Sequence, residues 1–111
     1  MKRTFIEIPS FQKAVIATND RSLLRLIQNE ILKNPKGGSL LKGCGGIRKI
    51  RVGDEEKKKG KSGGYRVLHL DLPDRGKNYL LKLFAKGEKE NISDEEKKIV
   101  RKLVKIIKEE K

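Results

Sequence analysis

The sequence predicts an α+β fold: a small, mainly antiparallel sheet with two N-terminal helices and one C-terminal helix, in the order β-α-α-β-β-β-α. Three observations lead there. Apolar residues recur at helical spacing in two blocks, residues 23–32 and 99–107, while the stretch between them changes to strand-like runs. The turn sequence Pro73-Asp74-Arg75-Gly76 separates two such runs, which implies an antiparallel hairpin. At 111 residues the chain is long enough for one modest core, and no repeat or long linker divides it, so residues 1–111 are expected to form one domain.

Residues 3–8, Arg-Thr-Phe-Ile-Glu-Ile, read as a short strand closed by Pro9, which has no N–H for a ladder hydrogen bond. Ser10 is then the cap of a short helix over residues 11–18. A second helix opens at Asp20 or Ser22 as N-cap, with Leu23, Leu24, Ile27 and Ile31 on one face and Leu26 and Leu32 widening it. It stops before Pro35, because the residue preceding a proline avoids helical angles. Five glycines between residues 36 and 46 mark a turn-rich connector. In the strand at residues 47–52, alternation places Lys49 and Arg51 on one face with Ile47, and Arg48 on the other with Ile50 and Val52.

A loop rich in charge and glycine, residues 53–64, carries Lys57, Lys58, Lys59 and Lys61. Residues 65–72 form the most apolar strand and residues 78–86 its hairpin partner. Ser93 and Glu96, three apart, make a capping box ahead of a helix with Ile99, Val100, Leu103, Val104 and Ile107 inward. The helices are expected on one face of the sheet. The other face would then display the cations of the strands as a cradle for a phosphate backbone.

Composition narrows the function. Lys and Arg number 28 against 15 Asp and Glu, a formal charge of +13, which points to a polyanionic partner. With a single Cys (Cys44) and a single His (His69), neither an intrachain disulfide nor a Cys/His zinc site can be assembled. No window approaches the roughly 18 apolar residues of a membrane span, and the N-terminus lacks a signal-type apolar region, so a cytoplasmic protein is expected. The five aromatics are scattered and Trp is absent, unlike the face of a membrane-surface helix.

Several motifs have plain structural readings. The run from Gly53 to Gly60-Lys61-Ser62 has six residues between its glycines, where a phosphate-binding loop needs four, and it leads into a strand rather than a helix. Residues 43–48 lack the third glycine of a dinucleotide fingerprint. His69 is either a general base or, more commonly for such a position, a buried sheet residue with a hydrogen-bonding partner. Cys44, without a second histidine beside it, reads as an inert loop thiol, and Asp54, Glu55 and Glu56 as a solvated charge cluster beside the loop lysines. What remains for chemistry is cationic: Lys49, Arg51, Arg66 and Lys86, with Arg48 and the loop lysines nearby.

The segments Asn34-Pro35-Lys36-Gly37-Gly38, Lys42-Gly43-Cys44-Gly45-Gly46-Ile47-Arg48-Lys49-Ile50-Arg51-Val52, Gly60-Lys61-Ser62-Gly63-Gly64-Tyr65-Arg66-Val67 and Leu81-Lys82-Leu83-Phe84-Ala85-Lys86-Gly87-Glu88 resemble, in order and over nearly the whole chain, the RelE/HigB superfamily of type II toxins. The HigB type is the most similar. The resemblance implies a RelE-like fold and a metal-independent, cofactor-free endoribonuclease that cuts mRNA in the ribosomal A site. It also implies control by a cognate antitoxin of the HigA-like, helix-turn-helix kind. The family's strand cations fall on Lys49 and Arg51, its Gly-Tyr-Arg arginine on Arg66 and its late lysine on Lys86. Gly87 stands where related members place an arginine, Phe84 where close relatives have tyrosine, and the C-terminal tyrosine of some members has no counterpart.

On this reading the ribose 2′-hydroxyl is the nucleophile. Arg66 stabilises the transition state through its planar fork, and Lys49 or Lys86 removes the proton, spacing alone leaving open which. Arg48, Lys57, Lys58, Lys59 and Lys61 bind RNA, the loop lysines contacting ribosomal RNA without sequence preference. The competing readings are a non-catalytic RNA-binding module and a homologue that only binds its antitoxin.

Overall fold

The computed structural model describes residues 2–53, 64–84 and 92–110. Its elements are β1 (Thr4–Glu7), α1 (Pro9–Thr18), α2 (Leu23–Lys33), β2 (Ser39–Leu40), β3 (Arg48–Val52), β4 (Tyr65–Leu72), β5 (Lys77–Phe84) and α3 (Asp94–Glu109). The strands form one five-stranded sheet in the order β1-β5-β4-β3-β2. All neighbours are antiparallel except β1 and β5, which run parallel.

Pro9 behaves differently from the expectation. It is the first residue of α1 rather than a strand terminator, because a helix leaves its first N–H groups unpaired and the fixed φ of proline suits that position. Ile8, in extended geometry, is the N-cap, and Ser10 lies inside the helix. Asn19, with φ 57°, ends α1 in the left-handed conformation that asparagine tolerates. Asp20 then accepts from the Ser22 N–H and hydroxyl at 3.0 and 2.8 Å, so it braces the corner while Ser22 holds the N-cap position of α2. Leu23, Ile27 and Ile31, four apart, are fully buried.

The glycine-rich connector contains β2, a two-residue strand on the flank of β3 that carries too few residues to show a period. Gly38 has φ +72°, and a Cβ there would collide with the Lys49 carbonyl, so only glycine lets the connector lie against β3. The strand of residues 65–72 is where the sequence placed it. The turn after it is a short 3-10 segment at Pro73–Arg75, followed by Gly76 in left-handed geometry. Arg75 donates to the Ile107 and Lys108 carbonyls at 2.8 and 2.6 Å, pinning the hairpin turn to the end of α3.

The helices cover both faces of the sheet, not one. On the first face Ile50, Val52, Tyr65, Val67, Leu80 and Leu83 cluster with Phe11, Leu23, Ile27 and Ile31 of α1 and α2. On the second, Ile47, Leu68, Leu70, Tyr79, Leu81 and Phe84 cluster with Cys44, Ile92 and the α3 residues Val100, Val104 and Ile107. The physical reason is visible in β4 and β5, whose successive residues are apolar on both sides of the pleat, as strands buried on both faces must be. Ile99, expected to point inward, is 67% exposed; the buried stripe of α3 runs through residues 100, 104 and 107, with Leu103 on its flank. No helix among the described residues is long and apolar enough to cross a membrane.

Candidate active site

Strand register decides which cations meet. Lys49 lies opposite Leu68, which lies opposite Lys82; one step along, Arg51 lies opposite Arg66, which lies opposite Phe84. Directly paired residues share a face, and residues two apart on one strand share it too. The two rows therefore put Lys49, Arg51, Arg66 and Lys82 on the α3 face, around an apolar floor of Leu68 and Phe84, both nearly inaccessible. Arg51 is exposed and Lys49 and Arg66 are half-buried.

Two arginines directly across an antiparallel pair repel each other, a local cost of up to about 1 kcal/mol. A phosphate between them would turn that repulsion into attraction. The Arg66 side chain is anchored locally: one guanidinium nitrogen donates to the Gly64 carbonyl at 3.0 Å. Gly64 packs so tightly on the Val52 carbonyl that no Cβ fits, which closes the strand pair just before Arg66.

Lys82 was not singled out by the sequence reading. Its Nζ donates to Glu96 Oε2 at 2.8 Å and lies 5.3 Å from the centroid of the Phe84 ring. Glu96 Oε1 meanwhile accepts from the Ser93 N–H at 3.0 Å, completing the capping box expected from the sequence. The available signal was a lone lysine in the apolar run of residues 79–84, on the parity of Phe84.

Arg48 is paired with His69 and belongs to the opposite face, away from Lys49 and Arg51, as alternation required. Lys86 and the lysines Lys57, Lys58, Lys59 and Lys61 lie outside the described residues, as do Gly87 and the acidic run at residues 54–56.

His69 is fully buried in the sheet. Burial pushes its pKa down to about 4, with Asp71 opposing and Arg48 assisting the shift. It is therefore neutral near pH 7 and out of reach of a ligand on the other face. Its Nδ1 sits 3.0 Å from Asn78 Nδ2, and that amide nitrogen also donates to Asp71 Oδ1 at 3.0 Å. An acceptor-only carboxylate requires nitrogen at that position, so Nδ1 accepts and the proton resides on Nε2. Arg3 closes the chain, donating to both Asp71 oxygens at 2.8 and 3.1 Å. Burial alone would raise the Asp71 carboxyl, but Arg3 and Asn78 more than offset it and hold the pKa below the ordinary range. Cys44 lies in the loop between β2 and β3, where it is buried in the core. Among the described residues no group of three His, Cys, Asp or Glu is arranged to hold a metal ion.

A helix-covered sheet with four cations on one face defines a small basic single-domain α+β protein. Over residues 10–111 the chain matches the family model described as the RelE toxin of the RelE/RelB toxin-antitoxin system, and it belongs to that family. Among solved structures it is similar to the isolated RelE toxin of E. coli, with a TM-score of 0.56 and 17% identity, covering 91% of this chain and 98% of that one. The chain is thus the toxin of a toxin-antitoxin system, and its partner is an antitoxin.

Proposed function

We propose that this toxin is an endoribonuclease that cuts mRNA in the ribosomal A site and so arrests translation. The observation that carries the reading is the Arg51–Arg66 pair, flanked by Lys49 and Lys82 on one face and set on an apolar floor. RNA brings its own nucleophile, the 2′-hydroxyl. A protein that orients the strand and neutralises the developing phosphorane charge supplies most of what cleavage needs. Arg66 stabilises the transition state, its fork matching two phosphate oxygens and oriented by the Gly64 carbonyl. Arg51 holds the same phosphate from across the strand pair. Lys49 or Lys86 takes the 2′-hydroxyl proton, and the loop lysines with Arg48 hold ribosomal RNA.

The antitoxin, in this reading HigA-like with a helix-turn-helix, silences the toxin by covering the cationic face. The test is RNA cleavage in a translating extract with and without ribosomes. Cuts that appear only with ribosomes, and vanish in Arg66→Ala while the circular dichroism spectrum is kept, are expected. Absence of any cut by the parent chain would leave a non-catalytic RNA-binding or antitoxin-binding homologue.

A further inference from the structure

The loop between β2 and β3 and the second half of α3 enclose a cavity of about 460 Å³, lined by Gly43, Cys44 and Gly45 from the loop and by Arg101, Lys105 and Lys108 from the helix. It shares no lining residue with the Arg51–Arg66 rows. We propose that this cavity is a second anion site that takes a phosphate group. It stands apart from the nuclease reading and does not depend on it.

The helix supplies the charge. Arg101, Lys105 and Lys108 fall on one face of α3 at successive turns, about 6 and 4.5 Å apart along its axis. All three are exposed, and against them the lining sets the single carboxylate of Glu109, so positive charge is in excess. Lys108 Nζ donates to the Gly45 carbonyl at 2.7 Å, which ties loop to helix and uses one of the three donors of the ammonium. One effect opposes an anion here: the C-terminal end of a helix carries about half a negative charge. Arg75, on the Ile107 and Lys108 carbonyls at 2.8 and 2.6 Å, offsets it.

The loop supplies main-chain donors. Gly43, Gly45 and Gly46 have φ of +72°, +71° and +105°, while Cys44 between them is fully buried and anchors the turn in the core. Backbone that changes hand at successive residues gathers its N–H groups into an anion-binding concavity. Among the described residues no main-chain carbonyl accepts from the Gly43, Gly45 or Gly46 N–H, whereas the Cys44 N–H donates to the Leu41 carbonyl at 3.3 Å. A Cβ at Gly43 would meet no atom within 4 Å, so the left-handed backbone, not packing, calls for glycine there. At Gly45 a Cβ would come within 2.8 Å of a Val104 methyl, so glycine also draws the loop against the helix. No aromatic side chain among the described residues lines the cavity, which suits it to phosphate rather than to a base. Its volume lies in the range of small-ligand sites, roughly 300–1,000 Å³. Phosphate has two sources, the backbone of a nucleic-acid strand and a free polyphosphate.

The test follows the main-chain amides of the isotope-labelled full chain by NMR as pyrophosphate or, separately, a short single-stranded 2′-deoxy oligonucleotide is added. Saturable shifts at Gly43, Gly45 and Gly46 are expected. Shifts with pyrophosphate alone identify a free polyphosphate as the source, and shifts with the oligonucleotide identify a strand backbone. The double variant Arg101→Gln/Lys105→Gln should bind pyrophosphate about tenfold more weakly, the size of hydrogen bonds lost from charged groups. In the oligonucleotide arm it should lower the salt slope by about 0.7, one single-strand phosphate contact. Both side chains are exposed, and an unchanged melting temperature confirms the fold. Lys13→Gln/Arg25→Gln removes the same charge from exposed positions of α1 and α2 and should leave the loop shifts unchanged. Absence of saturable loop shifts with both probes overturns the site, as does affinity that the first double variant leaves intact. Equal losses in the two double variants also overturn it, since net charge alone would then account for binding. Cleavage enters none of these readouts, so the nuclease reading stands or falls separately.

Discussion

The two faces of the sheet treat charge in opposite ways. Arg3, Asp71, Asn78 and His69 form a hydrogen-bonded chain in which the one cation, Arg3, is paired with the one carboxylate, Asp71, and the histidine is kept neutral. On the α3 face two arginines stand directly opposite each other, with Lys49 and Lys82 on the adjoining row. Buried charge must be compensated within the fold, whereas like charges set side by side on a sheet favour an anionic ligand.

This contrast predicts that substitutions on one face change stability and on the other change activity. The largest effect is expected in the packed face: Ile27→Ala should lower unfolding free energy by roughly 2–5 kcal/mol in urea titration, through the cavity it leaves. Its toxicity per folded molecule should be unchanged. Arg66→Ala should do the reverse, lowering cleavage on the order of 10²-fold to 10³-fold, about 2.7–4 kcal/mol of transition-state stabilisation. Its melting temperature should hold or rise because the repulsion with Arg51 is gone; a fall in cleavage matched by a collapse in melting would erase the distinction.

Acid sharpens the same comparison. His69 is protonated in the unfolded chain below its ordinary 6.5, but in the folded chain only below about 4. Between those values the unfolded state binds more protons, so stability should fall as pH is lowered from 6.5 towards 4, by roughly 3 kcal/mol in all. Asp71 acts in the same direction at lower pH: its contribution is present above the ordinary carboxylate value and is lost as pH falls through its depressed folded value. His69→Gln should flatten the upper part of this dependence, measured by thermal melts from pH 7 to 4.5, and an unaltered slope would remove His69 as its cause. Smallest is Glu96→Ala, expected to cost about 1 kcal/mol through the lost capping box, and to weaken RNA binding little, since Lys82 keeps its charge.

Much of this was legible from residue patterns. Alternation gave the common face of Lys49 and Arg51 and the opposite placement of Arg48, and the Ser93–Glu96 spacing gave the start of α3. The two-sided cover of the sheet is readable in β4 and β5, where apolar residues fall on both sides of the pleat, as in Val67-Leu68 and Leu80-Leu81. Three features had no local signal. The parallel pairing of β1 with β5 joins residues more than 70 positions apart; β2 is too short for a period; and the meeting of Arg51 with Arg66 depends on a register set across a loop. Register within the hairpin is also irregular: a bulge between Leu68 and His69 gives β5 one extra residue, so Leu81 and Lys82 both serve the α3 side.

Glu96 uses its two carboxylate oxygens for different masters, one tying down the first turn of a helix and the other tethering an ammonium group. Fraying of that turn would loosen the tether, and an incoming polyanion that captures the ammonium would in turn loosen the turn. Helix-end order and surface charge thus become a single coordinate, through which occupancy of the sheet is felt at the start of the C-terminal helix.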